Sequence, residues 1–156
     1  MIKEINDFAS LFGSSLKLDE ELTVRKQNRI FLIDETLKKT APKNFFYAGT
    51  YLGRIVKGKL YPSFELLTMI ARKKANEIIL DKKTEWLFIC GRDVFKQGIV
   101  KTIGPSRKGE HVLVLNDHDE CLGYGRILCD LEKTKSGLAV KNILDIGDFL
   151  RREKQT

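Results

Sequence analysis

Gly91-Arg92-Asp93-Val94-Phe95-Lys96-Gln97-Gly98-Ile99 interrupts a train of short apolar segments in the second half of the chain. Before it, Ile78, Ile79 and Leu80 form a strand-like run, and residues 84–89 read as a short helix. After it come four further strand-like runs, at residues 99–103, 111–115, 122–128 and 138–143. Turn residues separate them at Gly104-Pro105, Asn116-Asp117 and Ser136-Gly137. Short strands at near-regular spacing predict a small barrel, since a closed sheet needs only brief strands and tight corners. A last short helix opens at Asp145-Ile146-Gly147-Asp148, with Asp145 the predicted N-cap and Asp148 completing a capping box.

Upstream the pattern is mixed. Ile5, Phe8, Leu11 and Phe12 space a helical stripe over residues 3–12, which Gly13 should end. Strands are predicted at 22–26 and 30–33 around Gln27-Asn28. Asp34 should cap a short helix that Pro42 bars from continuing. Residues 45–56 read as two strands or one bulged strand, because Gly49 and Gly53 break an aromatic, β-branched run. Lys57-Gly58-Lys59 reads as a turn. A helix follows Pro62-Ser63, carried by Phe64, Leu67 and Ile70 and ending near Arg72, Lys73 and Lys74. The halves predict a division into 1–75 and 76–156, closely packed, since no flexible linker joins them.

The 156 residues leave room for one medium domain or two small ones. No apolar stretch approaches the roughly 20 residues of a membrane-spanning helix, and the N-terminal residues lack a signal peptide's pattern. A cytoplasmic protein with no membrane partner is the expectation. Cys90, Cys121 and Cys129 form no Cys-x-x-Cys pair, so buried free thiols are expected rather than a zinc site or disulfide framework. The net charge of +7 favours a polyanionic partner, nucleic acid first. Residues 1–75 hold 14 Lys and Arg against 8 Asp and Glu, and residues 76–156 hold 14 against 13. The basic excess therefore lies in the first half.

The order Gly91-x-x-Val94, Gly98-Ile99, a strand at 112–115, then Leu122-Gly123-x-Gly125 resembles the PUA domain over roughly residues 76–150. That resemblance implies a pseudo-β-barrel of the kind found in RNA-modifying enzymes and ribosome-assembly factors. Three other stretches resemble the archaeal type of the nuclear-import-protein-seven family of ribosome-biogenesis factors. They are Ala48-Gly49-Thr50-Tyr51-Leu52-Gly53, Leu60-Tyr61-Pro62-Ser63, and Asp145-Ile146-Gly147-Asp148-Phe149-Leu150-Arg151-Arg152. The implied class is α+β: a small N-terminal α/β domain followed by a PUA pseudo-β-barrel. The implied function is non-enzymatic binding of ribosomal RNA or pre-ribosomal particles, alongside other assembly proteins, in building the large subunit. PUA domains also occur in transfer-RNA transglycosylases and pseudouridine synthases. The alternatives are thus an accessory subunit of a tRNA-modifying enzyme, or a translation factor that binds ribosomal subunits.

The RNA contacts expected from these readings fall in three groups. Arg151, Arg152 and Lys154 form a basic cluster at the last helix, where guanidinium forks suit phosphate. Arg92 and Lys96 lie on the loop that the PUA resemblance places near RNA, with Gly91 and Gly98 allowing tight turns and close approach. Arg54, Lys57 and Lys59 flank a turn, and Lys57 and Lys59 would share a face if the strand ran that far. Arg25, Lys26 and Arg29 flank another turn, and Phe46, Tyr47, Tyr51 and Tyr61 are candidates for base stacking. Gly123-Tyr124-Gly125 lacks the third glycine of a nucleotide fingerprint. The segment Asn116-Asp117-His118-Asp119-Glu120 reads as a solvated hairpin tip without calcium-loop spacing. No catalytic group, metal or cofactor is expected.

Overall fold

Helix α1 (Ile2–Ser10) buries Ile5, Phe8 and Ala9, and the chain turns at Gly13, where φ is +66°. The computed structural model describes residues 1–105, 107–148 and 151. Phe12 lies past the helix and is fully buried, whereas Leu11 faces out. A four-stranded antiparallel sheet follows in the order β1 (Thr23–Lys26), β2 (Arg29–Leu32), β3 (Thr50–Val56), β4 (Lys59–Pro62). Helix α2 (Glu35–Thr40), capped by Asp34, and residues 41–49 connect β2 to β3. Helix α3 (Phe64–Ala71) starts at Ser63, whose Oγ accepts from the Leu66 N–H. The inner face of the sheet (Ile30, Leu52, Ile55, Leu60) packs on α1 and on Leu66, Leu67 and Ile70 of α3.

Two expectations change here. Within 45–56 only Thr50–Val56 is strand, the single bulged β3 with its register shift opposite Ile30 and Phe31, and residues 45–49 are not strand. Lys59 is no turn residue but opens β4, which pairs Val56 with Lys59 and Arg54 with Tyr61. The turn is Lys57-Gly58, both at positive φ, as a tight two-residue hairpin requires. Lys57 sits at its tip, so it does not share a strand face with Lys59.

The second sheet has six strands in the order β6-β10-β9-β8-β5-β7 and curls into a half-barrel. These are β5 (Glu77–Leu80), β6 (Val94–Phe95), β7 (Ile99–Ile103), β8 (His111–Leu115), β9 (Cys121–Ile127) and β10 (Leu138–Asp145). β5 and β8 run parallel and every other pairing is antiparallel. Helix α4 (Lys82–Ile89) begins at Asp81, which accepts from the Thr84 N–H. The α+β class and a curled sheet of short strands in the second half agree with expectation. The last helix begins later than expected: Asp145 closes β10 as a buried strand residue.

Strand β8 is apolar on both faces, the pattern of a strand covered on both sides. Val112 and Val114 point into the half-barrel with Ile78, Phe88 and Val140. Leu113 and Leu115 point the other way, into the core shared with α1 and α3. Asn76 ties the layers together, donating its N–H to the Phe12 carbonyl while its own carbonyl accepts from Leu113. Cys121 is buried and Cys129 half-buried, but Cys90 is exposed, so the expected burial of all three thiols fails there.

Candidate nucleic-acid interface

Strand pairing sets a row of side chains on the outer face of the first sheet. Lys26 pairs with Arg29, Arg29 with Arg54, and Arg54 with Tyr61, so all four share that face. Lys59, two residues before Tyr61 on β4, joins them. Arg25 does not: it pairs with Ile30, whose side chain is in the inner core, and its Nε donates to the Gln27 carbonyl. The basic group around the first turn is thus split between two faces.

The segment 45–47 folds back over this row. Phe31, fully buried, receives Phe45 at 5.8 Å, Tyr47 at 5.2 Å and Tyr51 at 5.6 Å between ring centroids. Phe46, between the two anchored rings, turns outward and lies 76% exposed, with the Arg29 guanidinium 4.3 Å from its centroid. Arg54 and Lys59 each lie 5.5 Å from the ring of Tyr61. The Lys26 ammonium sits over Phe45 and donates to the Lys43 carbonyl. Gly49 permits the return: its φ is +66°, and a Cβ there would lie 2.3 Å from the Leu32 carbonyl oxygen. Burial raises the Tyr51 phenol pKa, opposed by the charges of Arg54 and Arg29, so the ring remains neutral. No ion pair among the described residues engages Arg29, Arg54, Lys57, Lys59, Arg92 or Lys96.

A cleft of about 540 Å³ runs from Arg29, Arg54 and Tyr61 to Tyr124, Ile143 and Leu144 of the second sheet, with Asp148 at that end. Strand β10 continues from the cleft to the Gly91 loop, because the Asn142 N–H donates to Asp93 Oδ1 at 2.9 Å. Arg92 is exposed on that loop, and Lys96 is half-buried in the turn that follows, its N–H bonded to the Gly137 carbonyl. Gly98 is close-packed for the fold's sake rather than a ligand's: a Cβ there would fall 1.9 Å from Thr84 Oγ1.

Arg151 is committed to the fold. Its Nη2 donates to both oxygens of buried Asp145 at 3.0 and 2.8 Å, and its Nη1 donates to the Ile89 carbonyl at 2.7 Å. The bond to Asp145 raises the guanidinium pKa further. Asn142 completes the clamp, its Nδ2 donating to Asp145 and to the Phe88 carbonyl. Sequence spacing gave no sign of this set, because a six-residue separation from strand end to helix matches neither strand nor helix periodicity. Arg152 and Lys154 lie outside the described residues. The acidic hairpin is solvated at Asp117 and His118, but Asn116 is buried and organises the turn by accepting from the His118 and Glu120 N–H groups. Among the described residues no group of three or more metal-type side chains assembles. No helix there is long and apolar enough to cross a membrane.

The sequence pattern of the UPF0113 PUA domain matches residues 76–154. The chain belongs to the UPF0113 PUA domain family. It is similar to a UPF0113 protein of Archaeoglobus fulgidus, 31% identical over 117 residues, covering 71% of this chain and 65% of that one. It is also similar to the tRNA-guanine(15) transglycosylase of Methanobrevibacter smithii, 28% identical over 118 residues, which cover 69% of this chain and 18% of the enzyme. The matched stretch is therefore just under two thirds of the first relative and under a fifth of the second. Among solved structures, a conserved PUA domain protein from Thermoplasma acidophilum superposes with a TM-score of 0.58 at 24% identity. It covers 97% of this UPF0113 chain and 92% of its own length, so the shared fold includes the first sheet. PUA domains commonly bind RNA.

Proposed function

We propose that this UPF0113 chain is a non-enzymatic RNA-binding protein that acts on ribosomal RNA during assembly of the large ribosomal subunit. The observation that carries the reading is the outer sheet face, where Arg29, Arg54 and Lys59 have no ion-pair partner among the described residues and stand beside exposed rings, in a chain whose second half is a PUA domain. Such cations displace counterions from RNA phosphates, so affinity comes chiefly from the backbone and falls with salt. Lys57 extends the same surface at its hairpin tip. Arg92 and Lys96 supply a second contact on the Gly91 loop, and Arg152 and Lys154 are further phosphate-binding candidates. Arg151 is their neighbour in sequence, but its guanidinium is held by Asp145 and the Ile89 carbonyl. The ribosomal assignment rests on the family-like stretches around Ala48, Leu60 and Asp145, with other assembly proteins as further partners.

The test is binding of labelled ribosomal RNA fragments across a range of salt. Affinity should fall steeply, and the Arg54→Ala, Lys59→Ala double variant should reduce the log–log salt slope by about 2, roughly one for each phosphate no longer gripped. No binding to any RNA, or tight binding indifferent to salt, would refute the reading. In cells the protein should sediment with large-subunit precursors. The likeness to the transglycosylase supports a second reading, an accessory role in tRNA modification. Preference for transfer RNA over ribosomal fragments would select it.

A further inference from the structure

We infer that the outer face of the first sheet is a platform for unpaired nucleotides, with bases stacked on Phe46 and Tyr61 and phosphates held by Arg29, Arg54 and Lys59. The inference rests on the RNA-binding reading and names the form of RNA this surface takes. Three rings stay open after all their contacts are made: Phe46 is 76% exposed, Tyr47 60% and Tyr61 42%. Large aromatic side chains are normally well buried, so three on one face need a reason. Nor are they loose. Tyr47 is braced edge-on by Phe31 and packs near Tyr51 at 6.2 Å, which fixes the backbone that presents Phe46.

Cations set off these rings in register. Arg29 and Tyr61 belong to one cross-strand row with Arg54 between them, which at the usual strand spacing spans about 10 Å. Phe46 stands over the Arg29 end of that row. A bound strand would thus meet a ring, a guanidinium and a second ring in succession. Exposed rings occur elsewhere on the molecule, at Trp86 and Phe95, but only on this face do open rings stand beside unpaired cations in one cross-strand row among the described residues. A duplex accounts for the cations and not for the rings, because its bases already stack on one another and show only edges and phosphates. Unpaired bases offer a π face to each ring and a phosphate to each cation. An aromatic and arginine patch can also dock a protein, but no ion pair among the described residues engages the cations of this face, which favours a polyanion.

The test uses the full chain with labelled single strands of about 12 nucleotides, within the usual site size. Oligo-uridine, oligo-adenosine and a blunt RNA duplex of the same length are compared by fluorescence anisotropy. Phe46→Ala and Tyr61→Ala should each weaken single-strand binding about 5- to 150-fold, while duplex affinity stays within about twofold. Phe46→Leu, which keeps an apolar side chain but removes the π face, should lose affinity too, and Tyr61→Phe should keep it. If the ring variants bind single strands as the unaltered chain does, while Arg92→Ala with Lys96→Ala weakens binding, the platform is wrong and the RNA function stands. Equal losses on duplex and single strand would overturn stacking as the mechanism. Ring variants that retain every RNA affinity but lose a co-purifying protein would assign the face to protein docking instead. No RNA binding by the unaltered chain would bring down both readings.

Discussion

Two glycines at similar backbone angles separate the cost of a left-handed residue from the cost of a close approach. Gly58 has φ +76° with nothing within 4 Å of an added methyl group, while Gly49 has φ +66° and would place that methyl 2.3 Å from the Leu32 carbonyl oxygen. Gly58→Ala should therefore lose about 1 kcal/mol: roughly 1–2 for the left-handed conformation, less about 0.4–1 regained by a stiffer unfolded chain. Gly49→Ala incurs the same term plus about 1–3 kcal/mol of overpacking against backbone that cannot swing aside, so about 2–4 in all. For a chain of this length each kcal/mol lowers the melting temperature by about 2–4 °C. The expected drops are about 2–4 °C for Gly58→Ala and about 4–16 °C for Gly49→Ala, read by thermal denaturation. If the segment lifts off instead of unfolding the whole, trypsin should cut after Lys43 faster in Gly49→Ala than in Gly58→Ala. Equal melting temperatures together with equal cleavage rates would refute the claim that Gly49 seats the aromatic segment.

Asn142→Ala removes the amide's two stronger bonds, to Phe88 and Asp145, and should cost about 1–3 kcal/mol at roughly 0.5–1.5 per bond, measured by urea denaturation. Burial, helped by the charge of Asp119, raises the Glu77 pKa above its ordinary 4.5. Its stabilising effect is full below that value and lost as pH rises through the raised folded value, so Glu77→Gln should flatten the pH–stability profile there and be the more stable form at neutral pH. Burial also pushes the Cys121 thiol up to about 12, whereas Cys90 is exposed. Iodoacetamide should label Cys90 in the native protein and reach Cys121 only on unfolding, as peptide mapping would show.

The second half was legible because short strands with fixed turn residues leave few alternatives, and five of its six strands begin or end within two residues of expectation. Two-residue β6 was too brief to carry a period. Strand β4 was hidden because Lys-Gly-Lys reads wholly as a turn and Pro62 as a stop, yet a strand on the sheet's edge tolerates proline. The charge excess of the first half was countable from the sequence, but its division between faces depended on cross-strand register. Only pairing puts Arg25 opposite Ile30 and lines Lys26, Arg29 and Arg54 up with Tyr61. Likewise, composition named Phe46, Tyr47, Tyr51 and Tyr61 as stacking candidates, and the structure separates half-buried Tyr51 from the three open rings.

The basic face and the PUA half stand on one shared core, which bears on the proposed RNA binding. Leu113 and Leu115 of β8 bury against α1 and α3; at about 1.5–3 kcal/mol for each such side chain, these two alone contribute an amount comparable with a small domain's net stability of about 5–15 kcal/mol. Asn76 is hydrogen-bonded to both layers, which together with the shared core ties the two sheets to each other. Two RNA-binding surfaces on a flexible tether would each have to be ordered on binding, whereas a fixed pair would be in place beforehand and would confer affinity by preorganisation. Cutting the chain at residue 75 would then do more than remove cations: it would bare Leu113, Leu115 and Tyr124, so weak binding by an isolated second half would report disrupted packing as much as a missing surface. Single substitutions on the outer face, at Arg54, Lys59, Phe46 and Tyr61, leave that core intact. They are the changes that separate what the first sheet grips from what it supports.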